Sequence, residues 1–98
     1  MTVGIGFQTL ANSVGVLNTA VGGLAGANSV GIANVWMGPE SGRNTKGNEN
    51  AAFGNWSGNS VTGDRNAALG NGSGNFTKGS ENVSVGNMAG QSVTAVTL

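Results

Sequence analysis

The chain has 98 residues with no cysteine, histidine or tyrosine, and its four basic residues balance four acidic ones. That composition leaves no basic footprint for nucleic acid or an anionic membrane, no disulfide framework or zinc cluster, and little catalytic side-chain chemistry. Hydrophobic residues make up 38% but are largely Ala and Val, so a lone chain has little core to bury and help from partner chains is expected.

The chain is one sixteen-residue unit copied six times, at 2–17, 18–33, 34–49, 50–65, 66–81 and 82–97, within a single domain of 1–98. Asparagine opens the units at Asn18, Asn34, Asn50, Asn66 and Asn82, and glycine follows four residues later at Gly22, Gly38, Gly54, Gly70 and Gly86. The first unit opens on Thr2 and keeps its glycine at Gly6. Sixteen of the 19 glycines fall in the fifth, ninth and fourteenth columns of the unit. A Gly-rich chain of low charge otherwise reads as a linker, but linkers show no such column order. A short fixed period marks a solenoid, in which each unit buries its apolar side by stacking on its neighbours.

The units begin TVGI, NTAV, NVWM, NAAF, NAAL and NVSV, with the fourth column always apolar: Ile5, Val21, Met37, Phe53, Leu69 and Val85. Alternation along a strand puts the second and fourth columns on one face, expected to be the inside of the coil. The third column, also small or apolar, is then expected outside against another copy of the chain. Glycines of the fifth, ninth and fourteenth columns read as three corners per turn. Asn55, Asn71, Asn87, Asn59 and Asn75 lie next to those corners, where asparagine tolerates left-handed backbone and bonds nearby groups. First-column asparagines stacked about 4.8 Å apart are expected to form an amide ladder.

In the first two units the last two columns are apolar (Val16, Leu17, Ile32, Ala33), which predicts a covered amino-terminal flank. The opening MTVGIGFQTL lacks the basic region and long apolar stretch of a secretion signal, so with Met1 as the native start the chain is not expected to be exported by that route. No apolar run is long enough for a membrane span. The third to fifth units place Glu49, Arg65 and Glu81 in the sixteenth column, alternating in sign at roughly 5 Å if stacked in register. Lys46 and Lys78 share the thirteenth column with Thr62 between them, leaving the like charges about 10 Å apart and screened. In the last unit Ala95 replaces the fourteenth-column glycine, and the uncharged tail QSVTAVTL predicts a cap or a junction at the open edge. Six coils extend about 29 Å along the axis at the spacing of paired strands.

The segments NTAVGGLAG, NAAFGNWSGNSVTG and NAALGNGSGNFTKG resemble the repeats of YadA-type trimeric adhesin heads and, more closely, the N-T-A-x-G-x-x-A-G repeats of phage and prophage tail-fibre proteins. The resemblance spans all six units and implies a homotrimer of parallel β-coils around a threefold axis, each winding left-handedly. The adhesin heads run nearer fourteen residues per unit around S-V-A-I-G, from which this period departs.

The fold expected is therefore an all-β parallel β-solenoid or β-roll of six coils, assembled as a homotrimer. The function expected is that of a structural and adhesive fibre segment. The signs of a surface autotransporter (export signal, heptad stalk, anchoring barrel) are missing from the sequence. A complete chain thus fits a phage tail fibre or spike on the virion, contributing to host attachment. An excised fragment fits the head of a bacterial trimeric surface adhesin. Expected partners are copies of itself, other fibre or tail proteins and a host-surface glycan, with no cofactor, metal, nucleic acid or membrane insertion.

Catalysis is not expected, since the acids Glu40, Glu49, Asp64 and Glu81 are not paired by any motif. The period excludes hexapeptide acyltransferase helices, and the single Asp excludes calcium-binding nonapeptide repeats. Ice binding through ranks of Thr is an outsider: Thr45, Thr62, Thr77 and Thr94 recur but straddle two columns. For recognition, the aromatics Trp36, Trp56 and Phe76 are candidate glycan contacts, with packing between chains the preferred role of the two tryptophans.

Overall fold

The computed structural model of the chain describes residues 1–94. Six three-residue strands, β1 (Val3–Ile5), β2 (Thr19–Val21), β3 (Val35–Met37), β4 (Ala51–Phe53), β5 (Ala67–Leu69) and β6 (Val83–Val85), form one parallel sheet in chain order. The chain is an all-β parallel solenoid, and among the described residues there is no helix. Residues sixteen apart lie side by side: Val21 with Met37, Met37 with Phe53, Phe53 with Leu69. A second line of parallel bridges descends the thirteenth column from Val14 through Val30, Lys46, Thr62 and Lys78 to Thr94. The predicted cap or junction in the tail falls largely on 95–98, outside the described residues.

Three corners per coil were expected, and the backbone uses twice as many left-handed positions. Among the described residues, columns 5, 7, 9, 11, 14 and 16 all take positive φ. Between columns 5 and 11 the chain runs through successive tight turns, with the Ala25 N–H donating to Gly22 O and the Ala27 N–H to Leu24 O, each at 3.1 Å. Leu24 (φ 63°) and Gly26 (φ 67°) are the third residues of these turns, where a type II turn requires φ above zero. The asparagines of columns 6 and 10 are not themselves left-handed; that position falls on their neighbours, among them Trp56, Phe76 and Met88.

A left-handed residue other than glycine costs about 1–2 kcal/mol, and bonding between coils offsets it. The N–H of Leu24 donates to Phe7 O, that of Trp56 to Pro39 O and that of Arg65 to Asn48 O, all at 2.9 Å. Turn residues therefore belong to the same ladder as the strands.

The expected assignment of faces is reversed. The third column is inside, with Ala20, Trp36, Ala52, Ala68 and Ser84 buried, whereas Ile5, Met37, Phe53, Leu69 and Val85 of the fourth column are exposed. The reason is the width of the coil. Column 3 faces the ninth-column glycine so closely that a Cβ on Gly42 would lie 1.9 Å from Trp36 Cδ1, and one on Gly58 2.7 Å from Ala52 Cβ. Only the middle residue of each strand fits in that space. The first coil exchanges the two roles: Gly4 stands in column 3, and Leu10 fills the room from column 9, its Cδ1 3.1 Å from where a Gly4 Cβ would be.

The rest of the interior is polar. The first-column asparagines are buried with Ser41, Ser57 and Ser73 of column 8 and Ser29, Thr45 and Thr77 of column 12. The Ser29 hydroxyl donates to Gly42 O at 2.6 Å and the Thr45 hydroxyl to Gly58 O at 3.1 Å. Most such groups are tolerated because they find a partner, one coil on for Ser29 and Thr45 and within the coil for Ser73 and Thr77, whereas the Ser57 hydroxyl has none.

Candidate functional site

The asparagine column is a two-sided clamp between coils. Asn18, Asn34, Asn50 and Asn66 each donate through Nδ2 to the fourteenth-column glycine oxygen at the far end of their own unit, at 2.8–2.9 Å. Each Oδ1 accepts the backbone N–H of the next asparagine, from Asn34 to Asn82, at 2.9–3.0 Å. The side-chain amides also bond directly, Asn34 Nδ2 to Asn18 Oδ1 at 3.1 Å and Asn82 Nδ2 to Asn66 Oδ1 at 3.1 Å. This column holds the stack and is closed to ligands. The fifth-column glycines Gly22, Gly38, Gly54 and Gly70 stack on one another just as tightly, a Cβ on Gly38 falling 2.5 Å from Gly54 O.

The widest exposed feature is the outer face of the sheet. Columns 2 and 4 present Val3 and Ile5, Thr19 and Val21, Val35 and Met37, Ala51 and Phe53, Ala67 and Leu69, and Val83 and Val85 in a strip six strands tall that is apolar except at Thr19. Ile5 is 60% and Val85 66% exposed. Around the adjoining corner, Val14, Val16, Leu17, Val30 and Ile32 are exposed as well, so the flank expected to be covered is bare in the single chain.

The three candidate aromatics do not form one site. Trp36 is 1% exposed, in the coil interior against Gly26 and Gly42. It is neither a glycan contact nor a filler between chains, because its column points inward. Trp56 and Phe76 are exposed, on columns 7 and 11. Trp56 lines a groove with Glu40, Asn55, Asn71, Gly72 and Met88, residues of columns 6 and 7 that the sequence reading had not gathered into a site. Their spacing of sixteen was the available signal.

The charges are ladder and turn partners. Arg65 Nη2 lies 3.7 Å from Glu81 Oε1, and Arg43 Nη1 donates to Glu40 Oε1 at 2.7 Å. The expected alternation in column 16 thus gives the Arg65–Glu81 contact, while Asp64 accepts the Asn48 backbone N–H at 2.8 Å. Among the described residues no group of three or more His, Cys, Asp or Glu gathers, and no helix is long and apolar enough to cross a membrane. Thr45 and Thr77 are buried, which leaves Thr62 and Thr94 alternating with Lys46 and Lys78. Among the described residues there is no flat rank of exposed threonines for ice.

Comparison with family models, with curated proteins and with solved structures found no match for this chain.

Proposed function

We propose that this chain is a structural and adhesive segment of a homotrimeric fibre, a phage tail-fibre or spike component that contributes to host attachment. The observation that carries this reading is an inverted distribution of side chains. Apart from Trp36, amides, hydroxyls and small apolar side chains fill the coil, while Ile5, Met37, Phe53, Leu69 and Val85 stand outside on the sheet. Contiguous apolar strips of this kind mark interaction surfaces.

Two further copies of the same chain are the proposed occupants. The strip repeats in register along the stack, so an identical strip matches it coil for coil, and a chain of zero net charge offers no charge-selected partner. The threefold count rests on the resemblance to tail-fibre and adhesin repeats. A stack tied together by backbone ladders and flanked by copies of itself suits a load-bearing thread better than a catalyst. The head of a bacterial trimeric surface adhesin is the second reading, favoured by the same strip.

Sedimentation tests the proposal. The purified chain is expected to sediment as three copies, and the double variant Phe53→Glu with Leu69→Glu as one copy with an unchanged β-type circular dichroism spectrum. Each unpaired carboxylate buried in the interface costs about 3–5 kcal/mol. A wild-type chain that sediments as a folded monomer overturns the assembly.

A further inference from the structure

Trp56 sits at a left-handed position, φ 64°, and is 43% exposed. Bulky residues are disfavoured there, and the next coil meets the same backbone requirement with Gly72, φ 66°. The backbone therefore does not call for an indole at this place. Gly72 also removes the side chain that would separate Trp56 from Met88 in the column, and a groove of about 330 Å³ opens there, lined by Glu40, Asn55, Trp56, Asn71, Gly72 and Met88.

The chemistry of the lining is specific. Asn55 Nδ2 donates to Asn71 Oδ1 and Asn71 Nδ2 to Asn87 Oδ1, each at 3.2 Å. An amide has two N–H donors and two acceptor lone pairs, so Asn71 keeps one donor and one acceptor lone pair free, side by side. That combination complements hydroxyls, which both donate and accept. Glu40, the only charged residue lining the groove, is engaged by Arg43 at 2.7 Å, so the lining selects for no ionic ligand. Behind the gap lies a buried donor without a partner, Asn75 Nδ2, 3.8 Å from where a Gly72 Cβ would be. Its counterparts Asn59 and Gln91 donate to the column-seven carbonyl oxygens of Glu40 and Gly72 one coil earlier.

We infer that this groove is a binding site for a neutral pyranose saccharide, with the Trp56 ring as stacking platform and the Asn55 and Asn71 amides as hydroxyl partners. The inference gives the attachment reading above its ligand class and rests on that reading for its setting. Met88 supplies a polarizable wall opposite the indole. Repetition of the amides at the coil spacing suits a chain of sugars better than a single one.

The test uses Trp56→Gly, a change that suits the backbone, so loss of binding cannot be ascribed to misfolding. Neutral hexasaccharides of glucose, mannose, galactose and N-acetylglucosamine are titrated and the heat of binding is recorded by calorimetry, with the emission of buried Trp36 as the reporter of an intact coil. The wild-type chain is expected to give a saturable heat with at least one of them. Trp56→Gly is expected to melt no lower than wild type and to lose that heat, and Asn71→Ala to bind about tenfold more weakly, the loss of one hydrogen bond. No saturable heat with any of the four, or a heat that persists in Trp56→Gly, overturns the inference. Sedimentation of the same samples keeps the two proposals apart: a trimer without saccharide binding defeats only the groove, and a monomer defeats only the fibre.

Discussion

Gly47→Ala is expected to abolish the cooperative fold. Gly47 has φ 153°, and a Cβ built on it would lie 1.8 Å from Gly63 O and 2.7 Å from Gly63 C. The obstacle is backbone of the next coil, held by its own ladder, with the Gly63 N–H donating to Lys46 O at 2.9 Å. No side chain can swing away, so two adjacent coils must separate. That removes the bonds between them for the sake of one methyl group. A cost above about 4–5 kcal/mol places the change among the most damaging of single substitutions, against a total stability of about 5–15 kcal/mol for a domain of this size.

Gly23→Ala is the control for the same chemical step. Gly23 has no positive φ, and the nearest atom to its Cβ position is Phe7 O at 3.9 Å. Alanine there is expected to stabilise by about 0.4–1 kcal/mol by restricting the unfolded chain. Thermal melts followed by circular dichroism decide the matter. If the two variants melt within a few degrees of each other, the close stacking of column 14 is wrong.

The second large effect is expected at the asparagine clamp. Asn50→Ala removes the bond from Nδ2 to Gly63 O at 2.9 Å and the Oδ1 acceptor used by the Asn66 N–H at 2.9 Å and by Asn66 Nδ2 at 3.2 Å. The Asn66 N–H and the Gly63 carbonyl then remain unsatisfied inside the stack, at about 1–3 kcal/mol each, so a loss of about 3–5 kcal/mol follows in urea unfolding. Amide exchange at Asn66 is expected to accelerate with it. An alanine variant that unfolds at the wild-type urea concentration would remove the clamp from the account.

Asn50→Asp gives the same site a pH dependence. The acceptor survives, but an ionised second oxygen would face Gly63 O without a proton to donate, so folding favours the protonated carboxyl and raises its pKa. A group raised in this way binds more protons folded than unfolded. Its contribution is present below the ordinary Asp value of about 4 and is lost as the pH rises. Asn50→Asp is therefore expected to approach wild-type stability in acid and to weaken toward neutrality. Unfolding midpoints across that range check the sign; a variant more stable at pH 7 than at pH 4 contradicts it.

Much of this was legible in the residues. Asn18 to Asn82 and Gly22 to Gly86 announced the step of sixteen, and the observed pairs Met37–Phe53 and Phe53–Leu69 keep that step. Column 3 also carried a readable signal: its residues are mostly small and are matched across the unit by glycine in column 9, with Gly4 and Leu10 exchanged in the first coil. Two columns that compensate in size face each other. The groove at Trp56 was less accessible: the step of sixteen puts Trp56, Gly72 and Met88 in one column, but that the column is an exposed left-handed turn with a gap at Gly72 is a property of the backbone.

What the residue order determined by itself was the repeat, because identical units bury most backbone polar groups when stacked in register. It also determined an all-β coil, since glycine at fixed intervals permits turns that a helix would not use. The tertiary structure alone decided which side of each strand faces inward. Alternation says only that columns 2 and 4 share a face, and both faces here are free of charge, so hydrophobicity does not choose between them. The width of the coil chooses, admitting the middle side chain of each strand opposite a glycine and leaving the apolar residues of columns 2 and 4 outside.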